Sequence, residues 1–298
     1  MKYVITGSLG HISKPLAVAL LKAGHEVTIV TSRQSNASDI EAIGAKPAVG
    51  SVEDVAFLTK TFAGADAVYT MVPPKFDATD WKGYIESIGI NYANAIKAAD
   101  VKYVVNLSSV GAHMAEGAGP VSGLHRVENA LNQLLGVHIK HLRPAYFYYN
   151  LMANIGLIKQ ADIIGSNNGN AETLMAIVDP SDIAEEAAAA LLSLDFKGHT
   201  IQYIASDEVT NGQIAKALGA AIGKPDLPWI AFTDEQSLQG MLGAGLPEEL
   251  AKNYVEMGAG MRSGAMGSDY LNNRPATFGK TKLADFAKVF AHAYNASN

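Results

Sequence analysis

The residues with the clearest chemical potential lie near the start of the chain, where glycines follow a short apolar stretch. Gly7, Gly10 and Ser13 are three residues apart, and an apolar helical pattern follows them. A helix that begins after such a turn offers free backbone N–H groups and the positive end of its dipole to a phosphate. Glycine also allows the tight turn and the close approach of the phosphate. The spacing predicts a dinucleotide site formed by Gly7, Ser8, Leu9, Gly10, His11 and Ile12; the alternative is that the glycines serve the turn alone.

The end of the second predicted strand indicates which dinucleotide binds. An NAD site usually carries an Asp or Glu about 20 residues after the glycines, bonded to the ribose 2′-hydroxyl. Here the strand ends in Thr31-Ser32-Arg33, and the next acid is Asp39. An arginine can pair a 2′-phosphate through two parallel hydrogen bonds. The sequence therefore favours NADP(H) over NAD(H); the alternative is that Arg33 is merely a solvated residue at a strand end.

Composition limits the other functions that the chain could have. Its 298 residues are 48% hydrophobic and 17% charged, which suits an α/β enzyme. A net charge of −6 without a basic cluster argues against nucleic-acid binding. The absence of cysteine excludes disulfides and thiolate chemistry, and the scattered histidines predict no metal site. Without an apolar run of membrane length or an evident signal peptide, we expect a cytoplasmic protein.

The order of the predicted elements indicates the fold class. Apolar strands alternate with helical patterns, which is typical of an α/β fold with a doubly wound parallel sheet, the Rossmann fold. We expect an NADP(H)-binding domain over residues 1–150 and a smaller α/β substrate region over residues 151–298. In that region the helix 179–192, capped by Asp179, and the strand 200–205 are expected to return to the core. Another helix is predicted to begin at Ser122 as its N-cap and to end near Gly136.

Several motifs occur in the order found in one known family. They are the turn 7–15, Val72-Pro73-Pro74, Ser108-Ser109-Val110-Gly111, Leu142-Arg143-Pro144 with the aromatic run 146–150, the segment 179–184 and the segment 274–278. The chain thereby resembles the NmrA-like family of atypical short-chain dehydrogenases/reductases. The resemblance implies an NADPH-dependent reductase acting on quinones or triphenylmethane dyes, with a small-molecule acceptor as partner and a homodimer as an open alternative.

Two other functions stay open at this point. The same family includes non-catalytic sensors that bind NADP(H) and act through a protein partner. An isomerase or epimerase that uses bound cofactor is disfavoured, because none of the twelve tyrosines has a lysine four residues further on. Hydride transfer to an electron-poor acceptor does not need such a Tyr-Lys pair.

The resemblance, together with the rule that ligands bind at the carboxyl ends of parallel strands, extends the site. Further cofactor contacts are predicted for Arg33, Met71, Val72, Pro73, Ser108, Ser109 and Pro144. The aromatic run is predicted to form a flat acceptor pocket from Tyr146, Phe147 and Tyr149, with ordinary core packing as the alternative.

One helical face is predicted to carry the catalytic groups. His125, Glu128 and Asn132 can share a face of the helix that, in the family, begins where the Tyr-Lys pair would lie. We predict that His125 donates a hydrogen bond or proton to a substrate oxygen and that Glu128 orients His125 or the cofactor. The alternative is an ordinary solvated face.

Overall fold

A parallel sheet of seven strands lies at the centre of the structure, a computed structural model that describes residues 1–297. The strands of the whole chain are β1 (Lys2–Ile5), β2 (Glu26–Thr31), β3 (Lys46–Val49), β4 (Ala67–Thr70), β5 (Tyr103–Leu107), β6 (His138–Pro144), β7 (Tyr146–Phe147), β8 (Ile164–Ser166), β9 (Leu174–Val178), β10 (His199–Ile204), β11 (Asp207–Thr210) and β12 (Trp229–Ala231). The central sheet has the order β10-β6-β5-β4-β1-β2-β3. Strands β2 and β3 extend the sheet on one side of β1, and the later strands, beginning with β4, extend it on the other side. This switch in strand order opens a crevice at the carboxyl ends of β1 and β4.

Helices cover both faces of the central sheet. They are α1 (Ser13–Lys22), α2 (Ala37–Ala42), α3 (Val55–Phe62), α4 (Trp81–Ala98), α5 (Pro120–Asn132), α6 (Ile155–Ala161), α7 (Pro180–Ser193), α8 (Asn211–Ala221), α9 (Asp234–Gly243), α10 (Glu248–Arg262), α11 (Ser268–Asn272) and α12 (Leu283–Ala296). One apolar cluster packs α1, α2 and α7 against the sheet, and a second packs α3, α4 and α5 against the other face. The predicted doubly wound α/β fold is confirmed.

The second half of the chain contributes both to this sheet and to smaller ones. Strand β10 pairs with β6 at the edge of the central sheet, and α7 packs beside α1. Strands β11, β9 and β7 form a three-stranded sheet, and β12 pairs with β8. A separate apolar cluster joins these strands to α8 and α12.

The predicted start of α5 is wrong. The helix begins at Pro120, after Gly119 in a left-handed conformation (φ +57°), and it ends at Asn132. Ser122 is buried inside the helix, where its hydroxyl accepts a hydrogen bond from Ala118 N. Proline fits the first helical position because its missing N–H would have no partner there, and this signal outweighs the serine. The cap predicted at Asp179 is present: its side chain accepts a hydrogen bond from Ser181 N at the start of α7.

Helices α4 and α5 pack unusually closely because each presents a glycine to the other. A Cβ added at Gly89 would lie 2.8 Å from Val127 Cγ2 and 2.9 Å from Val127 Cα. A Cβ added at Gly123 would lie 2.8 Å from Ile85 Cβ. The two helices can therefore approach only where no side chain separates their backbones.

Within residues 1–297, no helix is both long enough and apolar enough to cross a membrane.

We expect Gly89→Ala to destabilise the protein by about 1–3 kcal/mol, because the new methyl group would force α4 and α5 apart. Gly240→Ala is the matched control, since Gly240 lies in α9 with no atom within 4 Å of an added Cβ. There the change should be neutral or stabilising by up to about 1 kcal/mol, from higher helix propensity. Urea denaturation of both variants measures the difference, and equal effects would contradict the close contact.

Candidate active site

The glycine turn between β1 and α1 has a backbone that only glycine supports at its first position. Gly7 has φ +94°, and a Cβ there would lie 2.5 Å from Ser13 Oγ and 2.9 Å from Met71 Cγ. The turn closes by a hydrogen bond from Gly10 N to Gly7 O at 3.2 Å. Ser13 occupies the place of a third glycine, and its hydroxyl donates to Thr6 O. The turn is therefore held tightly against the end of β1.

Three backbone N–H groups just before α1 have no hydrogen-bond partner within residues 1–297. The helix has neither a side-chain cap nor an acidic residue in its first turn. The backbone N–H groups of Leu9, His11 and Ile12 donate to no other group of residues 1–297. Unpaired N–H groups at a helix N-terminus bind phosphate groups well, because the helix dipole adds to their attraction. These predicted residues thus fit the pyrophosphate of a dinucleotide.

A cluster of short polar side chains lies beside this turn at the end of β2. Asn36 Nδ2 donates to Ser8 Oγ at 2.9 Å and to Thr31 Oγ1 at 3.2 Å, and Ser8 Oγ donates to Thr31 Oγ1. Sequence reasoning missed Asn36, although its place just after the second strand could have indicated it. The cluster presents no carboxylate that would repel a 2′-phosphate.

Arg33 lies next to this cluster with its guanidinium available. Of the five arginines in the sequence, the other four form ion pairs with carboxylates. Across residues 1–297 the exposed side chain of Arg33 has no hydrogen bond or ion pair. A free guanidinium beside hydroxyl and amide groups has the chemistry to bind a phosphate monoester.

The residues after β4 are fixed at the sheet edge next to the glycine turn. Met71 N donates to Thr6 Oγ1 at 2.9 Å, and Tyr92 OH donates to Met71 O at 2.7 Å. Val72 and Pro73 continue from this anchored residue. They form one wall of an apolar cleft of about 190 Å³.

The ends of β5 and β6 stay paired beyond the strands themselves. Ser108 N donates to Leu142 O at 2.7 Å, and Val110 N donates to Pro144 O at 2.9 Å. The hydroxyl of Ser108 is turned inward to Glu128, and that of Ser109 donates to Val110 O. Both predicted serine hydroxyls are thus engaged within the protein.

Glu128 forms a buried ion pair with Arg143 under this edge. Its two carboxylate oxygens accept from Arg143 Nε at 3.0 Å and Arg143 Nη2 at 2.6 Å, and both residues are about 5% exposed. Burial opposes the charge on Arg143, but the hydrogen bonds and negative charge of Glu128 outweigh it and raise the pKa of the guanidinium. Arg143 Nη1 also donates to Tyr203 OH and to Asp269 Oδ2, both at 3.0 Å. The network joins α5, β6, β10 and α11.

His125 is hydrogen-bonded to protein groups through both ring nitrogens. Nδ1 lies 2.9 Å from Ala112 O, which can only accept, so Nδ1 carries the proton. Nε2 then accepts from Asn129 Nδ2 at 2.9 Å. Glu128 forms no hydrogen bond with His125. Because Glu128 is buried, the alternative of an ordinary solvated helix face does not hold for this residue.

The aromatic run separates into two packed residues and one exposed residue. Tyr146 and Phe147 form β7, pair with β9 and pack against two apolar clusters. Tyr149 is 51% exposed, and its ring centroid lies 4.8 Å from that of His11. Of the three, only Tyr149 therefore faces the glycine turn.

A chain of buried polar side chains crosses the sheet next to this site. Thr70 Oγ1 donates to Asn106 Oδ1, Asn106 Nδ2 donates to His141 Nδ1, and His141 Nε2 donates to Asn132 Oδ1 at 3.0 Å. Burial, opposed by the charge of Glu128, lowers the pKa of His141 to about 4. The imidazole is therefore neutral at physiological pH.

A larger cleft of the described residues lies elsewhere. Its volume is about 770 Å³, and it is lined by β10 and the segment 273–280 at the outer edge of the central sheet. Three strands separate β10 from β1. The glycine turn and the smaller cleft, rather than this one, share the crevice between β1 and β4.

Fold and site together define a dinucleotide-binding α/β protein. Residues 7–138 match the model of a family described as NAD(P)H-binding. The chain is 26% identical over 301 aligned positions to an NAD(P)H azoreductase of Xenophilus azovorans, with 99% of both chains covered. It is 24% identical to a (4-alkanoyl-5-oxo-2,5-dihydrofuran-3-yl)methyl phosphate reductase of Streptomyces griseus, covering 97% of this chain and 99% of the relative.

Solved structures with the same fold support this likeness. An NADPH-dependent quinone oxidoreductase of Escherichia coli, determined with NADPH, superposes with a TM-score of 0.82 at 20% identity, covering 98% of this chain and all of that one. A triphenylmethane reductase of Citrobacter gives 0.80 at 19% identity, covering 98% and 100%. The predicted resemblance to quinone and triphenylmethane reductases is confirmed at the level of the fold.

We expect the stability of the protein to fall when the pH drops from about 6.5 to about 4. In the unfolded chain His141 takes up a proton near its ordinary pKa of about 6.5, whereas in the folded protein it does so only near 4. Protonation therefore favours unfolding across this range, by about 3 kcal/mol in total. Urea denaturation at several pH values should show this loss in the wild type and much less of it in His141→Gln. His292→Gln, which removes an exposed histidine of α12, is the control and should keep the wild-type pH dependence.

Proposed function

We propose that the protein is an NADPH-dependent reductase that transfers hydride to a quinone-like or other conjugated acceptor. The observation that carries this proposal is the uncapped glycine turn, which opens beside an apolar cleft at the switch point of the sheet. The names of an azoreductase relative and of two structural neighbours, a quinone oxidoreductase and a triphenylmethane reductase, support the same reaction class.

Cofactor binding is assigned to three groups of residues in this proposal. The backbone N–H groups of Leu9, His11 and Ile12 hold the pyrophosphate. Arg33, with the neighbouring hydroxyl and amide cluster, holds the 2′-phosphate and so favours NADPH. The strand ends at Met71, Val72, Pro73, Ser108, Ser109 and Pro144 form the edge against which the nicotinamide lies.

The reduced nicotinamide, when bound, supplies a hydride, which is two electrons and one proton. The chain contributes position: it holds the acceptor next to the sheet edge and excludes water from the apolar cleft. The acceptor is already electron-poor and takes its second proton from solvent. No Tyr-Lys pair is needed for this step.

In place of the proton donation predicted for His125, we propose a positioning role. Its Nδ1–H is committed to Ala112 O, and its Nε2 accepts from Asn129, so it has no proton to offer an acceptor. It holds the loop after β5 against α5. Glu128 likewise positions Ser108 and Arg143 rather than acting on the substrate.

The division of the chain follows from this assignment. Residues 1–150 would bind the cofactor, and residues 151–298 would complete the acceptor side while returning α7 and β10 to the core. The homodimer and the cytoplasmic localisation stay predictions.

We expect saturable oxidation of NADPH by the purified protein in the presence of quinones, with NADH a poorer donor. Arg33→Ala should raise KM for NADPH roughly ten- to hundredfold, the equivalent of a lost charge-assisted hydrogen bond, and change KM for NADH little. Steady-state kinetics with both donors measure this.

Arg274→Ala is the matched control, because Arg274 is an exposed arginine that pairs with Glu208 away from the glycine turn. Equal losses with NADPH and NADH in Arg33→Ala would contradict 2′-phosphate recognition by Arg33. Tight NADPH binding without turnover of any acceptor would contradict the reductase and favour the sensor.

A further inference from the structure

We propose that the apolar cleft beside Val72 and Pro73 is an acceptor site for one uncharged six-membered ring, and that Trp81 and Leu124 set its size limit. The proposal rests on the reductase function above and narrows its substrate class. It adds Trp81 and Leu124, which sequence reasoning did not connect with the acceptor.

The lining of the cleft carries no charged side chain. It consists of Val72, Pro73, Pro74, Trp81, Ile85, Pro120, Val121 and Leu124. A charged acceptor would lose its hydration there without gaining a counter-ion, which is costly. The phosphate in the name of the Streptomyces relative's substrate would find no partner in this lining.

Both lysines that adjoin the cleft wall in sequence are already paired: Lys75 follows Pro74, and its Nζ lies 3.2 Å from Glu53 Oε1. Lys82 follows Trp81, but its Nζ lies 2.8 Å from Glu256 Oε2 and 3.4 Å from Glu116 Oε2. Its charge is therefore neutralised by two carboxylates. An anionic acceptor would have to displace them, so the cleft selects neutral molecules.

The cleft has room to bury one ring. It measures about 190 Å³, and a dry apolar cavity of about 150 Å³ holds one benzene molecule. A benzoquinone ring fits within this space. A dye with three aryl groups does not, and fused rings would have to protrude from the open side.

The walls are held by contacts that resist widening. Trp81 is 6% exposed, its ring packs edge-on against Tyr254 at 5.3 Å, and its backbone N donates to Glu249 Oε1 at 3.1 Å. Leu124 lies on α5, which is locked to α4 by the glycine contact at Gly123. The size limit is therefore a property of the rigid α4–α5 pair, not of a mobile loop.

The cleft also adjoins the end of β4, beside the glycine turn. Its wall residues Val72 and Pro73 continue directly from Met71, whose side chain reaches the glycine turn at Gly7. A ring seated in the cleft thus lies beside the crevice that receives the dinucleotide. Hydride from NADPH and one proton from water convert the quinone into the hydroquinone and leave NADP⁺.

The first test compares two acceptors and then fills the cleft with a larger side chain. We expect the wild type to reduce 1,4-benzoquinone with kcat/KM at least about tenfold above that for 1,2-naphthoquinone-4-sulfonate, as apolar pockets discriminate by about this much. Leu124→Phe should lower kcat/KM for 1,4-benzoquinone by roughly tenfold or more and leave KM for NADPH unchanged.

The chain offers a matched control for this substitution. Leu135, just beyond α5, is 97% exposed, so Leu135→Phe introduces the same side chain outside the cleft and should leave the kinetics unchanged. Equal turnover of the charged and neutral quinones by the wild type would overturn the proposal. Full benzoquinone activity in Leu124→Phe would do so as well.

A second test measures ligand binding in the cleft by tryptophan fluorescence, without cofactor or turnover. The sequence has two tryptophans, Trp81 in the cleft wall and Trp229 in β12. Trp229→Phe leaves Trp81 as the single tryptophan, and its emission should change saturably when hydroquinone is titrated. Trp81→Phe leaves Trp229 and should show only the linear decrease of collisional quenching.

The two tests separate this proposal from the reductase function on which it rests. A saturable Trp81 signal without turnover of any acceptor would support the ring site and count against the reductase. Quinone turnover that is unaffected by Leu124→Phe, together with a linear Trp81 response, would support a reductase and overturn the site.

Discussion

The buried ion pair between Glu128 and Arg143 is the interaction on which the rest of the site depends. It lies where the ends of β5 and β6 meet α5, and it recruits Ser108, Tyr203 and Asp269 into one hydrogen-bonded network. Two charges at about 5% exposure are tolerable only because every strong donor and acceptor among them is paired. Loss of one partner would leave the other charged and buried, which costs about 3–5 kcal/mol. The pair thus fixes the strand ends that form the cofactor edge.

The close contact of α4 and α5 is the second constraint. Glycines at the crossing let the helices approach, and the residues at their N-terminal ends then form a narrow apolar cleft beside the anchored end of β4. Because neither helix can move without a clash or a void, the cleft keeps its width. Specificity for the acceptor would therefore follow from helix packing, while the glycine turn on the other side of the crevice is left free to bind phosphate.

The site also shows why a catalytic acid is not required. Three side chains look reactive in the sequence: His125, Glu128 and Ser108. In the structure each of them is hydrogen-bonded to another group of the protein. They build a rigid edge and leave the acceptor surface apolar. Such an arrangement suits hydride transfer to an electron-poor ring, for which position matters more than proton transfer.

The sequence by itself determined the fold class and the cofactor end of the site. Strand–turn–helix order, the spacing of Gly7 and Gly10 and the missing acid after β2 are local features, and local backbone geometry follows from them. What only the tertiary structure decided were the partners of the polar residues and the walls of the cleft. Periodicity correctly placed His125, Glu128 and Asn132 on one helix. Apart from Asn129, however, their partners come from β6 and the loop after β5, and no local pattern records which strand passes under a helix. Trp81 and Leu124 are far apart in sequence and meet only because glycine lets α4 and α5 touch.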